Sequence, residues 1–100
     1  MSNYSIIDEV LNSWTSSNGY TLQTTLRDEP VRAFEIWSKN QMQKVQVGVS
    51  YLDSRYVELT VFDGKRKRKK IRSRVDKFSC LLDEANLLAT EWLRVDERVP

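Results

Sequence analysis

Residues 44–62 read KVQVGVSYLDSRYVELTVF. Val45, Val47, Val49 and Tyr51 alternate with Lys44, Gln46, Gly48 and Ser50. A period of two marks a strand with one buried face. Asp53-Ser54-Arg55 turns the chain, and Val57, Leu59 and Val61 then form a second core face, with Tyr56, Glu58, Thr60 and Phe62 opposite. Two such strands joined by a short turn are antiparallel neighbours. The rest of the chain is read outward from this pair.

Upstream, residues 31–38 form a strand with apolar side chains on both faces: Val31, Ala33 and Trp37 on one, Phe34 and Ile36 on the other. Lys39-Asn40-Gln41 turns it into the strand at 44. Before it, Tyr20, Leu22, Thr24 and Leu26 alternate with Thr21, Gln23 and Thr25. Residues 27–30 are a polar connection, and Pro30 ends any strand before it. Nearer the N-terminus the period changes. Ile6, Ile7, Val10, Leu11 and Trp14 follow the three-to-four spacing of a helix face. Ser2, Asn3 and Ser5 are candidate caps, and Gly19 is the natural stop.

Downstream, Asp63-Gly64 signals a hairpin. A two-residue loop would place Ile71 opposite Tyr56, on the outer face. A three-residue loop, or an equivalent bulge, would place it opposite Val57, on the core side, and is the expected register. No apolar residue occurs from Gly64 to Lys70. Residues 63–74 are therefore expected to be a protruding basic hairpin, anchored by Ile71 and Val75, with Lys70, Arg72 and Arg74 on the opposite face. A final helix follows, with Asp76 as candidate cap and an apolar stripe of Phe78, Leu81, Leu82, Ala85, Leu88, Ala89 and Trp92.

The expected fold is a single domain over residues 1–100. It is a two-layer α+β arrangement: N-terminal helix, four- or five-stranded antiparallel meander, C-terminal helix. Both helices have one apolar face, so both pack on one face of the sheet.

The net charge of +2 hides a partition. Residues 65–77, KRKRKKIRSRVDK, hold nine cations and one acid, so the segment carries +8 and the remainder of the chain −6. Consecutive cations repel one another and attract a polyanion. Solvating a hairpin or protecting a sheet edge is the plainer use of such a run.

The chain has no His, one Cys and three Gly. Histidine metal sites, histidine acid–base chemistry and an internal disulfide are thereby excluded. Cys80 reads as a structural cysteine, and the paired acids 28–29, 83–84 and 96–97 as solvated charge. No phosphate-binding glycine loop occurs. The expectation is a protein that is not an enzyme and uses no metal or cofactor. With no apolar run of membrane-spanning length, no membrane role is expected, and the location expected is cytoplasmic, or nuclear in a eukaryotic or viral setting.

Clustered Lys and Arg on an accessible element fit nucleic-acid phosphates, in DNA or RNA. Lys65, Arg66, Lys67, Arg68, Lys69, Lys70, Arg72 and Arg74 are the candidate contacts. Tyr56, Phe62 and Trp37 are candidates for base stacking or for an interface; packing of these rings within the fold competes with both. The alternative function is a protein-interaction or regulatory adaptor. Its basic arm and aromatic sheet face would engage an acidic protein or form a homodimer.

Overall fold

A computed structural model describes residues 5–26, 29–39, 41–51, 53, 55–65 and 67–98 of the 100-residue chain. Helix α1 (Ser5–Ser17) leads into β1 (Leu22–Leu26), β2 (Glu29–Trp37), β3 (Lys44–Tyr51), β4 (Tyr56–Phe62) and β5 (Arg68–Arg74). A 3-10 turn (Val75–Lys77) then opens into α2 (Phe78–Arg98). The strands form one antiparallel sheet in the order β1-β2-β3-β4-β5, a simple meander. The two-layer α+β architecture is as expected, with five strands.

Alternation decides which face is buried. Phe34 and Ile36 of β2, Val45, Val47 and Val49 of β3, Val57, Leu59 and Val61 of β4, and Ile71 of β5 line the core face. Ile7 and Leu11 of α1 and Phe78, Leu81, Leu82, Ala85, Ala89 and Leu93 of α2 close over them. Both helices thus cover one face and leave the other open. Polar bonds fasten the layer: the Trp14 indole N–H donates to Asp83 Oδ1 at 2.9 Å, and the Tyr20 hydroxyl to Asn86 Oδ1 at 2.7 Å. Burial holds the Tyr20 phenol above its ordinary pKa.

The end of α1 shows local sequence chemistry at work. Gly19 takes φ +75°, its N–H donates to Ser16 O at 3.2 Å, and the Tyr20 N–H donates to Thr15 O at 2.8 Å. These paired bonds satisfy the last carbonyls of the helix and turn the chain into β1. The candidate start caps Ser2 and Asn3 lie outside the described residues.

Three local expectations are revised. The loop between β4 and β5 spans five residues, 63–67, so Ile71 faces Leu59 and not Val57. Ile71 still reaches the core because the register differs by a whole pleat of two residues. Asp63 is the reason for the longer loop. Its Oδ1 accepts from the Lys65 and Lys67 N–H groups at 2.8 and 3.0 Å, and Gly64 adopts φ +82°. Asp76 lies inside the 3-10 turn, where it pairs with Arg74 at 3.5 Å instead of capping α2. β2 starts at Glu29, so Pro30 sits in the strand, opposite Thr25 at the bulged end of β1.

Arg32 departs from the hydrophobic pattern. It shares the parity of Phe34 and Ile36, yet is charged. Its Nε and Nη2 donate to the two carboxylate oxygens of Asp8 at 2.7 and 3.0 Å, tying β2 to α1. Such a two-point bond fixes orientation as well as distance.

Candidate functional site

Strand alternation sorts the basic tract. Residues 68, 70, 72 and 74 share a parity with Tyr56, Glu58, Thr60 and Phe62, their partners on β4. That is the parity opposite Ile71 and Leu59, so Arg68, Lys70, Arg72 and Arg74 stand in file on the open face. Lys69 has the core-side parity, opposite Val61, and is exposed at the sheet edge. Lys65 is exposed in the loop. Lys67 reaches back to the helix layer, with Nζ 5.8 Å from the centroid of the Trp92 ring. Arg66 lies outside the described residues. The tract therefore divides among the open face, the loop and the helix side.

Across the open face, cross-strand rows bring other elements to the cations. One row reads Glu35, Gln46, Phe62, Arg68, and the next Gln23, Ala33, Gly48, Thr60, Lys70. A third joins Ser50, Glu58 and Arg72. Trp37 pairs with Lys44 at one end, and Tyr56 with Arg74 at the other. Trp37 and Tyr56 are 44% and 40% exposed, large values for aromatic side chains. Phe62 is half-buried, and the Arg68 guanidinium lies over its ring at 4.6 Å. Lys44 lies over Trp37 at 5.4 Å and pairs with Glu35 at 3.2 Å.

Among the described residues, five cations (Lys44, Arg68, Lys70, Arg72 and Arg74) against three carboxylates (Glu35, Glu58 and Asp76) give this face a positive field. Arg72 pairs with Glu58 at 3.1 Å and Arg74 with Asp76 at 3.5 Å. The Arg74–Asp76 pair is exposed on both sides, and such pairs contribute about 0–1 kcal/mol, so a phosphate can recruit Arg74 at small cost; Glu58 is mostly buried and holds Arg72 more firmly. Lys70 has no acidic partner among the described residues. Asp83, Glu84 and Glu91 are exposed on α2, in the other layer. Among the described residues, bases outnumber acids on the open sheet face, while on α2 these three acids outnumber the exposed Arg94.

Catalytic groupings are sparse. Among the described residues, no three His, Cys, Asp or Glu side chains gather where a metal could bind, and Cys80 is an exposed free thiol. No described helix is long and apolar enough to cross a membrane.

The structure also brings in residues that the sequence reading did not select. Gln23, Glu35, Lys44 and Gln46 join Trp37 and the cations on the open face. Parity within β2 already places Glu35 beside Trp37. Finding Lys44 requires the β2–β3 register, which Gln41 (φ +62°) and the Ser38–Gln43 backbone bond set in the turn. Comparison with family models, with curated proteins and with solved structures gives no match.

Proposed function

We propose that this protein binds nucleic acid and holds its phosphates with the cations of β5, without catalysing a reaction on it. One observation carries the reading: the β4–β5 register puts Arg68, Lys70, Arg72 and Arg74 on a single face, beside exposed Tyr56 and half-buried Phe62. A file of cations at alternate strand positions tracks a phosphate backbone, and neighbouring rings offer bases a stacking surface. An acidic protein surface is the rival occupant. It would meet the same charges, but it releases no condensed counterions from a polynucleotide. The proposed location is the cytoplasm, or the nucleus of a eukaryotic cell, where nucleic acid is accessible.

Salt dependence tests this. Four neutralised phosphates predict a log–log slope of affinity against salt of about −3.6 for duplex DNA and about −2.8 for a single strand. Fluorescence anisotropy of a labelled oligonucleotide, titrated with the intact chain at several salt concentrations, measures it. A slope near −1, or no binding while an acidic protein is retained, would replace this reading with the adaptor.

A further inference from the structure

β1 stops short of its neighbour. Leu22, its first residue, faces Phe34, while β2 continues to Trp37. Over residues 35–37 no described strand pairs with that edge of β2. A cleft of about 490 Å³ opens there. Its walls include Trp37, Glu35, Gln23 and Gln46, with Gln41 from the following turn. Trp37 lines the cleft, and Lys44 Nζ lies over its ring at 5.4 Å.

The chemistry of these walls is selective. A primary amide has two N–H donors and an oxygen acceptor; Gln23 and Gln41 each use one N–H on a backbone carbonyl, Thr25 O at 3.2 Å and Ser38 O at 3.4 Å, and Glu35 gives Oε1 to Lys44 at 3.2 Å. A purely aliphatic ligand would offer nothing to the remaining donors and acceptors. A nucleobase presents donors and acceptors along its edge and a π face to the indole. The volume falls in the ~300–1,000 Å³ range of small-molecule sites.

The cleft is also connected to the cations. Ala33, Gly48 and Thr60 lie in one row that ends at Lys70. These small side chains floor a second hollow of about 380 Å³ on the same face. From β2 to β5 is three strand spacings, roughly 14 Å. That length holds roughly four stacked nucleotides at ~3.4 Å each.

We infer that the open face takes a single-stranded nucleic acid, one base of which enters the cleft at residues 35–37 and stacks on Trp37 while its phosphates lie on Arg68 and Lys70. This rests on the nucleic-acid reading above and deepens it. A duplex keeps its base faces stacked inside and cannot use the cleft.

Trp37→Ala is the test, with a mixed-sequence single-stranded oligonucleotide and inorganic polyphosphate as probes. Trp37 is partly exposed and outside the core cluster, so the variant should fold; a thermal melt checks this. Oligonucleotide affinity should fall about 5- to 150-fold, the range for losing one base stack. Polyphosphate affinity and the salt slope should not move. In the intact chain, the Trp37 indole N–H resonance, identified by its absence from the variant, should shift with oligonucleotide and not with polyphosphate. Unchanged oligonucleotide affinity would overturn the cleft while leaving the β5 reading in place. Equal weakening for both probes would assign Trp37 to holding Lys44 and would also overturn it. Tighter binding of the matching duplex would contradict the single-strand assignment. Failure of the intact chain to bind either nucleic acid would remove both readings together.

Discussion

Phe34→Ala should lower the unfolding free energy by about 3–5 kcal/mol. Phe34 is 1% exposed at the centre of β2. Its ring stacks on Tyr20 at 5.7 Å and meets Trp14 at 5.3 Å, while Trp14 and Tyr20 lie 5.7 Å apart. Removing the middle ring leaves a void bounded by two others that hydrogen bonds to Asp83 and Asn86 hold in place. Collapse into that void is therefore restricted, and the cost should fall in the upper part of the range. A domain of this size is stable by about 5–15 kcal/mol, so the loss is a large share. Tm should drop by more than ~12 °C, at ~4–8 °C per kcal/mol. Urea unfolding followed by circular dichroism measures it. Tyr56→Ala, on the open face, is the control and should shift stability by less than ~1 kcal/mol. Comparable losses for the two variants would mean that the faces have been assigned wrongly. The result bears on function too, because Phe34 backs the strand whose other face presents Ala33, Glu35 and Trp37.

The second large effect is on binding. Replacing Arg68, Lys70, Arg72 and Arg74 together by Gln should weaken single-strand affinity by about 200-fold near 0.15 M salt. A slope of about −2.8 accumulates that factor between 1 M and 0.15 M. The slope itself should fall toward zero. Folding should survive, because all four side chains are exposed and the strand remains held by its ladder to β4 and by buried Ile71. Two carboxylates lose a partner there, Glu58, whose side chain is only 15% exposed, and the exposed Asp76, and the cost falls mainly on Glu58. The Arg72→Gln change keeps an amide donor near that carboxylate, which limits the cost. Lys65→Gln with Lys69→Gln is the matched comparison, since one residue lies in the loop and the other on the opposite parity. That pair should reduce affinity far less than the open-face four. Equal loss per charge removed, irrespective of face, would show nonspecific attraction to the whole segment and no built surface.

The two-layer fold was legible because alternation at 44–62 and helical spacing at both ends are set by burial alone. The face of Lys70, Arg72 and Arg74 followed from Ile71, whose parity survives a register error of two residues. What could not be read was longer-range. The five-residue loop depends on the Asp63 carboxylate choosing the Lys65 and Lys67 N–H groups, one of several turns open to Asp-Gly. Arg32 breaks the core parity because its partner, Asp8, comes from a helix 24 residues away. The cleft beside Trp37 arises from where β1 stops relative to β2, a mismatch in strand length that alternation does not encode. Trp37, Tyr56 and Phe62 were visible as rings on one parity; their separation into a cleft wall, an exposed ring and a ring under Arg68 required the full sheet register.

The central claim is that nucleic acid lies on the open face of the sheet, and a backbone amide chemical-shift map of the intact, isotope-labelled chain titrated with a short single-stranded oligonucleotide tests it most directly. The largest shifts should fall on Tyr56, Thr60 and Phe62 of β4, on Arg68, Lys70 and Arg72 of β5, and around Trp37. The exposed face of α2, at Asp83, Glu84 and Glu91, should stay still. Shifts concentrated on α1 or α2, or confined to the loop at Lys65 with the strand rows unmoved, would contradict the account.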